Sequence, residues 1–286
     1  MSPGPRFECG VVLHPAGHTR SPAMHNAAYR ALGLDARYDA WDVPPDRLAT
    51  AMLDFRARGV RQISVSIPHK ETMLPLVDEL EPVVHAIGAL NTVIRDGERL
   101  IGTNTDWIGV LAALERVVSV GGQRAVVLGA GGTARAAVYA LRRRGCEVFV
   151  LNRTPARAEA LVQALDAQGA YALDALGALA PELVVQTTSV GLGEWRSPVA
   201  AEALGAGMVV LDAVYSPERT RLLAEAEERG ATTVGGKWML VHQAVEQLRR
   251  WTERLPEPPS ADALEVVVDV MARAFDEAGR STEARE

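Results

Sequence analysis

The chain has 286 residues, 48% of them hydrophobic and 23% charged, which is enough for two domains with cores of their own. Its 36 acids against 30 bases give a net charge of −6, without the basic surplus or stripe of a nucleic-acid binder. No run of eighteen apolar residues occurs and residues 1–8 lack an apolar run behind a basic start, so neither a membrane span nor a signal peptide is expected; the two cysteines are too few for a disulfide framework or a four-thiolate zinc site, which fits a reducing cytoplasm.

From the N-terminus, strands are expected at 9–13, 38–43, 62–65, 92–95 and 100–103, with helices at 21–32 and 47–58 between them. Ser21 followed by Pro22 reads as an N-cap with proline in the first turn. This alternation predicts an α/β layer with a mainly parallel sheet. A helix over 105–118 bridges to a second domain, where the alternation becomes regular. Strands are expected at 125–128, 148–151, 183–187 and 208–212, and helices at 134–144, 155–165 and 220–229. Beyond Gly235-Gly236 only helices follow, at 238–250 and 261–278, broken by Leu255-Pro256-Glu257-Pro258-Pro259. With no strand of their own, they must pack on something already built, and at least one is expected to return to the N-terminal domain. The polar residues 280–286 read as a frayed end.

Gly129-Ala130-Gly131-Gly132-Thr133-Ala134 fits G-x-G-x-x-G/A. An apolar strand before it, an alanine-rich helix after it and a second strand beyond supply the context a dinucleotide fingerprint requires. Gly129 permits the tight turn, Gly131 lets a pyrophosphate approach the backbone, and the helix N-terminus offers N–H groups and a favourable dipole. At the end of the second strand, an NAD site places an acidic residue on the ribose 2′-hydroxyl. This chain has Asn152-Arg153-Thr154-Pro155-Ala156-Arg157 there. Asn152 carries no charge to repel a 2′-phosphate, Arg153 and Arg157 offer guanidinium forks to it, and Thr154 can cap the following helix. The cofactor indicated is NADP. A structural glycine turn beside two solvated arginines is the plainer alternative.

A dinucleotide domain does not by itself name a reaction. Thr19 and Ser21 place two hydroxyls just ahead of a helix, a natural carboxylate site. His14, His18 and His25 do not match a zinc spacing, so structural or substrate-proximal roles are favoured over a metal. Ser64-Val65-Ser66-Ile67-Pro68-His69-Lys70 ends a strand in a proline turn that delivers a lysine, a residue that in such a turn is ordinarily just solvent-exposed. Two small-residue turns follow, 88–92 and 102–106, carrying Asn91 and Asp106.

Taken together and in this order, these segments resemble the shikimate dehydrogenase family over nearly the whole chain. The resemblance runs from Ser21-Pro22 with His25-Asn26, through Pro68-His69-Lys70, Gly88-Ala89-Leu90-Asn91-Thr92, Asn104-Thr105-Asp106, the glycine loop and Asn152-Arg153-Thr154. It continues through Thr188-Ser189-Val190-Gly191, Asp212-Ala213-Val214-Tyr215-Ser216-Pro217 and the segment from Gly236 to Gln243. It implies a substrate-binding domain of residues 1–106 plus 238–286 and an NADP-binding Rossmann domain of residues 107–237. The implied reaction is reversible reduction of 3-dehydroshikimate to shikimate with NADPH. Lys70 and Asp106 would be the catalytic pair, Thr19, Ser21, Ser66 and Tyr215 would take the substrate carboxylate, and Asn91 and Gln243 its ring hydroxyls. Gly129, Ala130, Gly131, Gly132, Thr133, Asn152, Arg153, Thr154, Arg157, Ala213 and Gly236 would hold the cofactor. The chemistry agrees with that placement: ketone reduction needs a proton donor at the developing alkoxide, and a hydroxyl-rich substrate needs neutral donors and acceptors.

The chain departs from the family at three positions: Ser64 and Gln186 where asparagine is common, and Thr19 where serine is. Ser64 and Thr19 are expected in the substrate pocket and so bear on the ring substrate. Quinate and aminoshikimate dehydrogenases share this architecture and stay open as alternatives. So does a non-catalytic NADP-binding sensor, against which Lys70 and Asp106 both count. A monomer or a homodimer is expected, with a small-molecule substrate and neither nucleic acid nor membrane as partner.

Overall fold

The computed structural model describes residues 6–17 and 19–283; residues 1–5, His18 and residues 284–286 lie outside the described residues. Two compact units emerge, Met1–Thr105 with Gln243–Glu286, and Asp106–His242. The second unit therefore begins one residue earlier than expected, at Asp106, and keeps residues 238–242. The reason is packing, because Val110, Leu111 and Leu114 of the helix that Asp106 opens, and Met239, all belong to the second unit's core.

The first unit holds β1 (Phe7–Leu13), α1 (Ser21–Ala31), β2 (Ala36–Asp42), α2 (Leu48–Arg58), β3 (Gln62–Val65), β4 (Glu79–Leu80), α3 (Pro82–Ile87), β5 (Thr92–Asp96) and β6 (Arg99–Thr103). Its sheet runs β2-β1-β3-β5-β6-β4. The sheet is mainly parallel, as expected, with one reversed strand, β5. The β1, β2 and β3 pairings and the β4–β6 pairing are parallel, but β3–β5 and β5–β6 are antiparallel. The β5–β6 reversal is local: Asp96 pairs with Arg99 across a two-residue turn whose first residue, Gly97, has φ 60°. With no positive φ at Glu98, this is the geometry of a II′ hairpin, which reverses the chain within the sheet. The core beneath gathers Met52 and Phe55 of α2 with Ile63, Val65, Val93 and Leu100 of the strands.

The second unit holds α4 (Asp106–Leu114), β7 (Arg124–Leu128), α5 (Gly132–Arg143), β8 (Glu147–Leu151), α6 (Pro155–Leu165), β9 (Gly169–Tyr171), α7 (Leu176–Leu179), β10 (Leu183–Gln186), β11 (Val209–Asp212), α8 (Arg221–Glu228), β12 (Thr232–Val234) and the start of α9 (Gly236–Thr252). Its sheet runs β12-β11-β10-β7-β8-β9, and its five strand pairings are all parallel. Numbered from β7, that is the doubly wound order 3-2-1-4-5-6, whose switch point lies between β7 and β10. Strand residues Val126, Val127, Val150, Val184 and Val185 are fully buried, as helices on both faces require.

Helix α4 stops at Leu114, short of the expected 118, as Val117 and Val118 turn back onto the Leu114 carbonyl. The last helix, α10 (Ala261–Glu283), packs along α1 within the first unit. Its buried Val267, Met271 and Phe275 repeat every four residues, one stripe on the helix, each contributing about 1.5–3 kcal/mol by burial. The Arg20 guanidinium sits 4.3 Å from the Phe275 ring centroid, over Gly279. The helix runs past the expected 278 to Glu283; the rest of the stretch expected to fray, residues 284–286, lies outside the described residues. Among the described residues no helix is long and apolar enough to cross a membrane.

Candidate active site

In the first unit, four motif segments converge on Asn91, which is buried at the start of β5. The Lys70 carbonyl accepts from Leu90 N at 2.9 Å, tying the Pro-His-Lys turn to the segment that carries Asn91. Asn91 Oδ1 accepts from Thr105 N and from the Thr92 hydroxyl, both at 2.8 Å. Its Nδ2 donates to Thr105 Oγ1 at 3.0 Å and to Gln243 Oε1 at 3.2 Å. The Thr105 hydroxyl in turn donates to the Gln243 carbonyl at 3.1 Å. The two residues read from the sequence as ring-hydroxyl ligands are therefore direct neighbours, although they are 152 residues apart.

Lys70 is half-buried at the end of the turn, and Ser66 is half-buried with its N–H on the Val12 carbonyl. His69, between them, is buried, with Nε2 at 2.8 Å from the Val43 carbonyl, and burial lowers its pKa. The N-cap expected at Ser21 is not made. Ser21 is already the first helical residue, and its N–H goes to Thr19 Oγ1 at 3.3 Å. The structure thus brings Thr19 and Ser21 together at the α1 N-terminus by way of Thr19's hydroxyl. His14 pairs with Asp42 at 2.7 Å in an exposed position, holding that carboxyl below its ordinary range. His25 is buried and stacked flat on Tyr38, ring centroids 4.0 Å apart. Burial drives its pKa down to about 3, against a hydrogen bond to Gln247.

Ser64, which stands where the family commonly has asparagine, is buried and its hydroxyl saturated. Its hydroxyl accepts from Tyr38 at 2.6 Å and Gln62 at 2.9 Å and donates to Gln247 Oε1 at 2.7 Å. Sequence reasoning alone misses Gln247. The available signal is its place four residues after Gln243, on the same face of α9.

In the second unit, Asp106 is buried at the first turn of α4. The glycine turn follows β7. Gly129 has φ 114°, and a Cβ there would stand 2.7 Å from Thr187 Oγ1, so both backbone and space demand glycine. Gly131 is the N-cap of α5, and a Cβ on it would meet nothing within 4 Å, leaving the approach to the helix N-terminus open. The first turn of α5 contains no acid, which suits an anion against its N–H groups. Gln186, the family's asparagine position, closes the facing loop through bonds to Thr188 Oγ1 at 2.9 Å and the Val190 carbonyl at 3.0 Å.

Past β8, Asn152 Nδ2 donates to the Thr154 carbonyl at 2.9 Å and sets the turn. Thr154 occupies the N-cap of α6, but the side-chain cap expected of it is not formed. Arg153 and Arg157 are exposed and make no ion pair among the described residues. Gly236 needs to be glycine for packing, since a Cβ would stand 2.7 Å from the carbonyl oxygens of both Ala213 and Val214. Tyr215 is half-buried just beyond them. Asp212 anchors that segment, accepting from Val214 N at 2.9 Å and the Thr220 hydroxyl at 2.7 Å, and burial pushes its pKa up to about 6. Both thiols are buried and unpaired, and burial pushes Cys9 up to about 12.

A doubly wound sheet with a glycine-rich turn at its switch point, joined to a second unit rich in neutral polar side chains, defines a nucleotide-dependent α/β protein of two domains. Family models place it further: residues 11–93 match the shikimate dehydrogenase substrate binding domain, and residues 112–194 match shikimate / quinate 5-dehydrogenase. The chain is 45% identical to an NADP(+) shikimate dehydrogenase of Thermococcus kodakarensis, over 87% of this chain and 92% of that one. It is 40% identical to one from Methanothermobacter thermautotrophicus, over 96% and 99%. The structure of shikimate 5-dehydrogenase from Thermus thermophilus in complex with NADP(H) and shikimate superposes with a TM-score of 0.83 at 37% identity, covering 94% of this chain and 99% of that one. The chain belongs to the shikimate dehydrogenase family.

Proposed function

We propose that the chain is an NADP-dependent shikimate dehydrogenase, interconverting 3-dehydroshikimate and shikimate as a step of aromatic amino acid (chorismate) biosynthesis. The observation that carries this reading is the convergence of four separated segments on the Asn91–Gln243 pair, a rigid neutral polar surface suited to vicinal ring hydroxyls. Bound NADP supplies and removes the hydride. Lys70 serves as proton donor to the developing alkoxide and as base in reverse, and Asp106 is its catalytic partner. Asn91 and Gln243 hold ring hydroxyls, while Thr19, Ser21, Ser66 and Tyr215 take the carboxylate.

Gly129, Ala130, Gly131, Gly132 and Thr133 cradle the pyrophosphate, with Ala213 and Gly236 lining the same cofactor. Asn152, Arg153, Thr154 and Arg157 read the 2′-phosphate. Two observations fit these residues to the group: the open approach to Gly131, and two exposed guanidiniums where an NAD site would place an acid. The substrate-binding domain is the unit Met1–Thr105 with Gln243–Glu286, and the NADP-binding domain the unit Asp106–His242. The enzyme works in the cytoplasm as a monomer or homodimer on a small molecule, and its buried free thiols fit a reducing compartment. Mixing the purified protein with NADPH and 3-dehydroshikimate should consume NADPH and yield shikimate; absence of turnover with that ketone overturns the reading.

A further inference from the structure

Behind Asn91 lies a chain of hydrogen bonds with a single direction. Tyr38 donates to Ser64 Oγ, and Ser64 donates to Gln247 Oε1. The other end of that amide, Gln247 Nε2, donates to Thr92 Oγ1 at 2.9 Å and to the Asn91 carbonyl at 3.2 Å. Having accepted that hydrogen bond, the Thr92 hydroxyl is oriented to donate to Asn91 Oδ1. The oxygen end of the Asn91 amide is thereby turned toward Thr92 and Thr105 N, and the nitrogen end toward Gln243. Gln247 is fully buried, 1% exposed, so its amide is both oriented and difficult to replace.

Ser64 and Thr92 face each other across the antiparallel β3–β5 ladder. Side chains so paired start about 5 Å apart at Cβ. A serine at 64 is too short to carry an amide donor to Thr92, whereas an asparagine carboxamide there reaches it directly and would occupy the space Gln247 now fills. We infer that Gln247 is a positioning residue for the substrate site, supplying from α9 the amide that fixes the orientation of Asn91 and that position 64 lacks. Ser64 and Gln247 thus act as one unit. This rests on the reading of Asn91 as a ring-hydroxyl ligand.

The test is a double-mutant cycle of Gln247→Ala and Ser64→Asn, with KM for shikimate, KM for NADP+ and kcat measured for all four proteins. Gln247→Ala should raise KM for shikimate about tenfold, the effect of losing one well-made hydrogen bond, and leave KM for NADP+ unchanged. Ser64→Asn alone should also impair, because two carboxamides compete for one space. Combined, they should restore KM for shikimate to within about threefold of wild type. Gln247→Met fills nearly the same space but donates nothing to Thr92 and accepts nothing from Ser64. It should raise KM for shikimate without disturbing KM for NADP+, and it guards against a misfolded alanine variant. A double variant no better than Gln247→Ala, or parallel rises in both KM values, overturns the inference. A wild type inert toward shikimate removes the functional reading and this inference with it; an active wild type with purely additive variants removes the inference alone.

Discussion

His25 makes stability depend on acid in a way the structure quantifies. The ring is fully buried and stacked on Tyr38, and burial lowers its pKa from 6.5 to about 3. Between those values the unfolded chain binds a proton at this position and the folded chain does not, so stability falls as pH drops below 6.5. At pH 5.5 the unfolded state gains about 1.4 kcal/mol from protonating one group whose pKa lies one unit higher, against about 0.1 kcal/mol at pH 7.5. That corresponds to a fall in Tm of about 3–6 °C from this group alone. Asp212 acts in the opposite sense: raised to about 6, its carboxyl holds a proton in the fold that the unfolded chain releases, which adds stability as pH falls through that value. The contribution of His25 is isolated by comparison with His25→Phe, which keeps a flat ring against Tyr38 and titrates nothing. The variant should lose about 1 kcal/mol at pH 7.5 with the bond to Gln247, yet its own loss between pH 7.5 and 5.5 should be smaller than that of wild type by about 1.4 kcal/mol. Urea unfolding at the two pH values measures both quantities. Parallel pH dependence in the two proteins would refute the argument, because the penalty would then reside in another group.

Arg153→Ala should weaken NADPH binding by about 1–3 kcal/mol and change NADH use little; equal losses for both would remove the 2′-phosphate role. Lys70→Ala should lower kcat on the order of 10²-fold with a much smaller change in KM, and Asp106→Asn should act in the same direction. Near-normal kcat in Lys70→Ala would exclude it as the proton donor. Gly129→Ala places a Cβ at φ 114° and 2.7 Å from Thr187 Oγ1, so Tm should fall by the equivalent of about 1–3 kcal/mol and NADP+ affinity with it. An unchanged melting curve would contradict the strain. With Thr19 in its proposed place at the carboxylate end, its methyl would narrow that end, so shikimate should be preferred to quinate at least about tenfold in kcat/KM; equal turnover of the two acids would say otherwise.

Much of this protein was legible in one dimension, because the informative features are local. The strand at Gln62–Val65 and the helix at Pro155–Leu165 have the expected bounds, since hydrophobic runs ending in proline or polar turns mark them without reference to anything distant. The glycine turn after β7 and the arginines after β8 also depend only on neighbours in sequence. The short strands β4, β9 and β12 and the helices α3 and α7 escaped, because two to six residues are too few to show a period. Asp96-Gly97 carries the hairpin signal that makes β5 and β6 antiparallel, a signal that the strand–helix alternation around it obscures.

What only the tertiary structure decided concerns groups far apart in sequence whose roles exist through contact. Gln247 looks like any polar residue on an amphipathic helix until α9 brings it against Ser64 and Thr92. Ser64 looks like a lost asparagine until its hydroxyl is found between three partners. His25 is one of three histidines in a row of motifs until burial separates it from exposed His14. The order of residues determines the chemistry each side chain can offer; the dielectric around it and the partner opposite are set by residues as far as 183 positions away, and these determine whether it is charged, which way it donates and what it holds.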